Sequence, residues 1–134
     1  MKYLLDTNAC IGYLNGRAVG VRQRLESMPP SEVFVCSVVK AELFYGAMKS
    51  PDPARTLARQ TVFLEQFDSL PFDDLAAEEY GRVRAYLEKR GEIIGPNDLL
   101  IASIALVNNV TLVTHNTDEF KRVLDLNLED WQAG

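Results

Sequence analysis

The chain is poor in several residue types that mark common enzyme classes. Its 134 residues include one histidine, His115, and two cysteines, Cys10 and Cys36. A single histidine excludes a histidine-rich metal site, and its place just after a strand pattern reads as a solvated turn residue. The cysteines lie in apolar stretches without CxxC spacing, so they are expected to be buried reduced thiols, as in the cytosol. No GxGxxG, P-loop or serine–histidine arrangement is present. No apolar run approaches the roughly 18 residues of a membrane span. The start, Met1-Lys2-Tyr3-Leu4-Leu5-Asp6, meets an acid too early for a signal peptide, so a cytoplasmic protein without a membrane partner is expected. Positive charge is also scarce. Fourteen Lys and Arg oppose nineteen Asp and Glu, and the net charge of −5 argues against holding nucleic acid by a general positive field.

What is present is an apolar content of 47%, with eight glycines and six prolines, which excludes collagenous, disordered and disulfide-scaffold classes. One compact domain over residues 1–134 is expected. The charge is divided: residues 1–60 carry a balance of +3 and residues 61–134 one of −8. Strand patterns at 2–6, 32–36, 69–72, 110–114 and 126–128 alternate with helical periodicities at 8–14, 19–27, 38–48, 54–67, 74–90, 96–108 and 119–123. Parallel neighbours need crossover connections, so this order predicts an α/β sandwich with a mainly parallel sheet. Ligands of such sheets bind at the carboxyl ends of the strands.

Acids gather at those positions. Asp6 closes the first strand; it could cap the next helix, as could Thr7 or Asn8, or it could ligate a metal. Glu42 lies on a helix whose Val39, Ala41, Leu43, Phe44 and Met48 cover most of the circumference at 100° per residue, so that helix is expected to be largely buried. A buried carboxylate must be paired, protonated or bound to a cation, and Lys49 is the pairing alternative. Asp98 heads the inward stripe Ile101, Ala102 and Ala105, with a helix-dipole role as the alternative. Asn116, Asp118 and Glu119 follow the strand at 110–114, where the two acids could be first-turn residues of a short helix. Oxygen ligands without His or Cys select Mg²⁺ or Mn²⁺, ions suited to phosphodiester hydrolysis. Without a cation such acids should raise one another's pKa values.

Four blocks in this order resemble the PIN-domain ribonucleases, and among them the VapC-type toxins of bacterial type II toxin–antitoxin pairs. They are Leu4-Leu5-Asp6-Thr7-Asn8, Ser37 to Gly46 around Glu42, Gly95-Pro96-Asn97-Asp98 with the helix that follows, and Leu112 to Phe120. The likeness spans essentially the whole chain. It implies a three-layer α/β/α sandwich around a mainly parallel sheet of four to five strands. It also implies a Mg²⁺-dependent endoribonuclease, Mn²⁺ substituting, that cleaves a structured RNA such as tRNA or rRNA and inhibits translation. Asp6 and Asp98 would be the main metal ligands, with Glu42 completing the acidic site. Asn116 and Glu119 occupy the remaining family position, Asp118 being the alternative acid, while Thr7, Asn8 and Thr114 would orient the carboxylates. The resemblance further implies a homodimer and a cognate antitoxin that blocks the site and alone supplies DNA binding. Arg17, Arg22, Arg24 and Lys40 are the first candidates for phosphate contacts. An aspartyl-phosphate phosphatase or receiver-like domain is a rival, but it wants a second acid where Asn8 stands and a lysine nearer a strand end than Lys121. A non-catalytic PIN-like scaffold is a second rival, opposed by the presence of Asp6, Glu42 and Asp98 together.

Overall fold

Residues 1–132 are described by the computed structural model, so the last two positions of the single-domain reading lie outside the described residues. The elements in chain order are β1 (Tyr3–Leu5), α1 (Thr7–Leu14), α2 (Val19–Glu26), β2 (Val33–Cys36), α3 (Ser37–Met48), α4 (Pro53–Leu64), β3 (Asp68–Leu70), α5 (Asp74–Arg90), α6 (Pro96–Asn108), β4 (Thr111–Val113), α7 (Thr117–Phe120) and β5 (Leu128–Glu129). A 3₁₀ turn at Pro30–Glu32 leads into β2.

The five strands form one sheet in the order β3-β2-β1-β4-β5. Every pairing is parallel, so the sheet is wholly rather than mainly so. Helices cover both faces, and β1 and β4 accordingly read as uninterrupted buried runs rather than alternating patterns. Leu4, Leu5 and Leu112 are completely buried at the centre of one continuous core. Each contributes about 1.5–3 kcal/mol of apolar burial. The chain builds the sheet outward from β1 through β2 to β3, then crosses to the other side for β4 and β5. The direction of winding therefore reverses at β1 and β4, and their carboxyl ends open the crevice where such sheets bind ligands.

Local chemistry sets the helix ends. Asp73 Oδ1 accepts from the Ala76 N–H at 3.0 Å to start α5, and Gly91, at φ 65°, ends it in the left-handed conformation that glycine adopts without cost. Pro96 starts α6, where its missing N–H would have been unpaired anyway. A close backbone approach fixes the C-terminal segment: a Cβ on Gly20 would stand 2.0 Å from the Trp131 carbonyl oxygen, so α2 can lie on Trp131 only because residue 20 is glycine. Trp131 in turn packs edge-on against Tyr3 of β1 at 5.2 Å between ring centroids.

Several boundaries differ from the sequence reading. Of the three capping candidates Asp6 is the one that caps α1, whereas Cys36 rather than the expected Ser37 occupies the cap position of α3. The α4 helix stops at Leu64 because β3 begins at Asp68, ahead of the expected residue 69, and β5 sits at Leu128–Glu129 rather than 126–128. The larger correction concerns α3. It buries only the stripe Val39, Leu43 and Ala47, while Phe44, Tyr45 and Met48 are 36%, 65% and 56% exposed. Apolar residues all round a helix imply burial only if both sides have a partner within the chain, and here one side faces solvent.

Candidate active site

The β1–α1 junction places Asp6. Its backbone N–H donates to Val113 O at 3.1 Å, tying the carboxyl ends of β1 and β4 together. The side chain turns back so that Oδ1 accepts from the Ala9 N–H at 2.8 Å. Asp6 is 4% exposed, and Thr114 at the end of β4 also hydrogen-bonds its carboxylate. Burial pushes the Asp6 carboxyl above its ordinary range against those two hydrogen bonds, and the charges of Glu42 and Asp130 add to the rise.

The remaining acids arrive from three other elements. Glu42, on α3, accepts from Thr7 Oγ1 through Oε1 and from Asn97 Nδ2 at 3.3 Å through Oε2. Lys49 lies instead over the Tyr45 ring, and among the described residues Glu42 forms no ion pair. Thr7 is therefore a Glu42 ligand rather than a helix cap, and this division of labour leaves capping to Asp6. Asp98 stands in the first turn of α6. Burial first, then the charges of Glu119, Asp6 and Glu42, push its carboxyl to about 6.

Glu119 behaves differently. Asn116 Nδ2 donates to its Oε2 and the Gly95 N–H to its Oε1, each at 2.8 Å. The Asn116 bond, then the Gly95 bond, hold its carboxyl below the usual range, with a smaller pull from Arg122. Asp98 Oδ2 and Glu119 Oε1 both lie within 4 Å of the point where a Cβ on Gly95 would sit, so the glycine leaves room between two carboxylates.

The structure thus brings Asp6, Glu42, Asp98 and Glu119 into one electrostatically coupled group at the carboxyl edge. Asn116 orients Glu119, and Thr114 Oγ1 accepts from the Asn116 N–H at 3.0 Å besides bonding Asp6. Asp118 points away: its side chain is 93% exposed and pairs with Lys121 at 3.4 Å. Asn8 is exposed and lies on the rim beside Asn116 rather than on the carboxylates. Two neighbours escaped the sequence reading. Asn97 holds Glu42 from 55 residues away, which only tertiary structure reveals. Asp130 follows β5, and the same rule that selects strand-end residues elsewhere would have found it. Its charge acts on Asp6, and its Oδ2 lies 2.9 Å from His115 Nδ1.

An all-oxygen donor set with two carboxyls, Asp6 and Asp98, raised first by burial and then by neighbouring acids fits a hard divalent cation, which would offset both penalties. Among the described residues, no three acidic, histidine or cysteine side chains are already closed around a metal-sized centre.

A family model described as the PIN domain matches residues 3–126. Ribonuclease VapC2 of Rickettsia felis is 40% identical over 132 residues, 98% of either chain. The tRNA(fMet)-specific endonuclease VapC of Shigella flexneri is 40% identical over 131 residues, again 98% of either chain. Among solved structures, that of VapBC2 from Rickettsia felis bound to a DNA fragment from its promoter superposes with a TM-score of 0.91. Its sequence identity is 39%, covering 98% of this chain and 99% of that one.

Proposed function

Because the chain belongs to the PIN-domain family, we propose that it is the ribonuclease toxin of a VapBC-type pair, with Asp6, Glu42, Asp98 and Glu119 as its active site. One observation carries the reading: four carboxylates from four elements meet at the winding reversal of the sheet, with no ion pair among the described residues to compensate Asp6, Glu42 or Asp98. Buried, unpaired carboxylates of this kind concentrate at functional sites, where a ligand compensates them.

In this reading Asp6, Asp98 and Glu42 would hold Mg²⁺ or Mn²⁺. Such a cation, when bound, supplies Lewis acidity toward the scissile phosphodiester and its leaving oxygen. The protein's own part is preorganisation. Thr114 and the Ala9 N–H fix Asp6, Thr7 and Asn97 fix both oxygens of Glu42, and Asn116 with the Gly95 N–H keep Glu119 ionised and aimed. Hydrolysis in line would leave a 5′-phosphate and a 3′-hydroxyl. The substrate we propose is a structured RNA, with initiator tRNA tried first because of the Shigella flexneri relative and rRNA second. Its cleavage would inhibit translation in the cytoplasm. Residues 1–134 form one PIN domain in this account.

The exposed apolar residues Ile11, Phe44, Tyr45, Met48 and Val62 on α1, α3 and α4 supply surface for a second copy and for a cognate antitoxin, DNA being reached only through the latter. Induction of the wild type beside Asp98→Asn, with cleavage-site sequencing and with or without the adjacent reading frame, tests the assignment. Toxic cleavage by the wild type alone, reversed by that neighbour, is expected; equal toxicity of the two proteins would refute it.

A further inference from the structure

Beside the carboxylates, between the α1–α2 turn and the loop after β4, lies an open groove of about 430 Å³, lined by Asn8, Asn15, Arg17, His115, Asn116 and Gln132 among others. Two of its lining residues adjoin the acidic site: Asn8 follows Thr7, which holds Glu42, and Asn116 holds Glu119. None of its lining residues is an acid.

The bases of the N-terminal half are not equally free to meet a ligand. The Arg22 guanidinium donates to Tyr13 O at 2.8 Å and covers the Tyr13 ring. Arg24 pairs with Glu129 and lies over Trp131, and Arg59 donates to Leu14 O at 2.8 Å. The Arg17 guanidinium has no hydrogen bond, ion pair or ring partner among the described residues. Its backbone is nonetheless fixed, since the Arg17 N–H donates to Asn15 Oδ1 at 2.9 Å after Gly16 turns the chain at φ 75°. Across the groove, His115 is held through Nδ1 by Asp130 while its side chain stays 63% exposed. That combination orients the ring and leaves a face open.

We propose that this groove is a nucleotide subsite, in which Arg17 contacts the RNA phosphate next to the scissile one and the His115 ring stacks on the adjoining base. The inference rests on the ribonuclease reading. The free guanidinium matches a phosphate. An oriented aromatic ring matches an unstacked base, and the amides of Asn8, Asn15 and Gln132 match base edges. An acidic protein segment would satisfy Arg17, and its backbone could pair with those amides, but its carboxylates present no flat face to the exposed His115 ring.

The test uses in vitro transcribed initiator tRNA, bound to Asp98→Asn protein and turned over by the otherwise wild-type enzyme. Arg17→Ala should weaken binding about tenfold, the fold-change of one charge-assisted contact, and lower the salt slope of log K by about 0.7. In turnover the loss should fall on KM with kcat retained. His115→Ala should weaken binding without changing the salt slope, Arg17→Lys should recover part of the loss, and Lys89→Ala on α5 should stay within twofold of its parent. Binding by Arg17→Ala within twofold of the parent overturns the subsite, as does an equal loss in Lys89→Ala or no tRNA binding by Asp98→Asn protein. Loss of antitoxin affinity in Arg17→Ala with RNA binding intact would reassign the groove to the protein partner. Failure of the wild type to cleave any RNA would instead count against the ribonuclease reading itself, separately from these binding results.

Discussion

Replacing Asp98 by asparagine should stabilise the cation-free protein at neutral pH while abolishing cleavage. The folded chain holds this carboxyl at about 6 against the ordinary 3.8. That gap corresponds to about 3 kcal/mol for a fully buried group. Asp98 is only half-buried, and solvent screening reduces the figure to about 1–2 kcal/mol. Its place in the first turn of α6 acts the other way, since the helix dipole favours an anion there by about 0.3–1 kcal/mol. A net gain of about 1 kcal/mol remains, or about 3–4 °C in Tm for a chain of this size. The pH dependence separates the two effects. A carboxyl raised in the folded state contributes stability that is complete below pH 3.8 and is lost as pH rises through about 6. The advantage of Asp98→Asn should therefore be full at pH 7.5 and shrink as pH falls toward 4. Thermal melts in EDTA at both pH values measure it, and added Mn²⁺ should raise the Tm of the wild type more than that of the variant. A lower Tm for Asp98→Asn at pH 7.5, or a difference that ignores pH, would refute the reasoning and leave Asp98 as a dipole partner.

Other substitutions probe the supports of the site. Thr7→Val removes the hydroxyl that holds Glu42 Oε1 and should reduce cleavage about 10- to 100-fold with little change in Tm, as steady-state kinetics and melting will show. Glu119→Gln should be severely impaired, whereas Asp118→Ala, whose carboxylate meets only solvent and Lys121, should cleave within twofold of the wild type. Gly20→Ala forces a methyl group against the Trp131 carbonyl and should cost about 1–3 kcal/mol, read as a lower denaturant midpoint at unchanged slope.

The architecture and the acids were legible in the sequence for one reason: strands buried on both faces are short apolar runs, and a polar residue that ends such a run marks the carboxyl edge. Tyr3-Leu4-Leu5-Asp6 and Leu112-Val113-Thr114 both carry that signal. What stayed hidden depends on neighbours remote in sequence. Capping preference cannot tell that Thr7 is taken by Glu42, 35 residues away, so the cap falls to Asp6. The apolar circumference of α3 does not reveal that Phe44, Tyr45 and Met48 are left facing solvent. The sequence leaves Asp118 as an alternative to Glu119, but only Glu119 is tied to Asn116 and Gly95 in one hydrogen-bonded unit, while Asp118 faces solvent.

The most direct test of the account is cleavage of a defined tRNA by purified protein, with product ends mapped, in Mg²⁺ or Mn²⁺, in excess EDTA and after the cation is restored. The expected result is cleavage to 5′-phosphate and 3′-hydroxyl ends that stops in EDTA, returns with the cation and is absent from folded Asp6→Asn protein. Cleavage that persists in EDTA, or in Asp6→Asn, would contradict it.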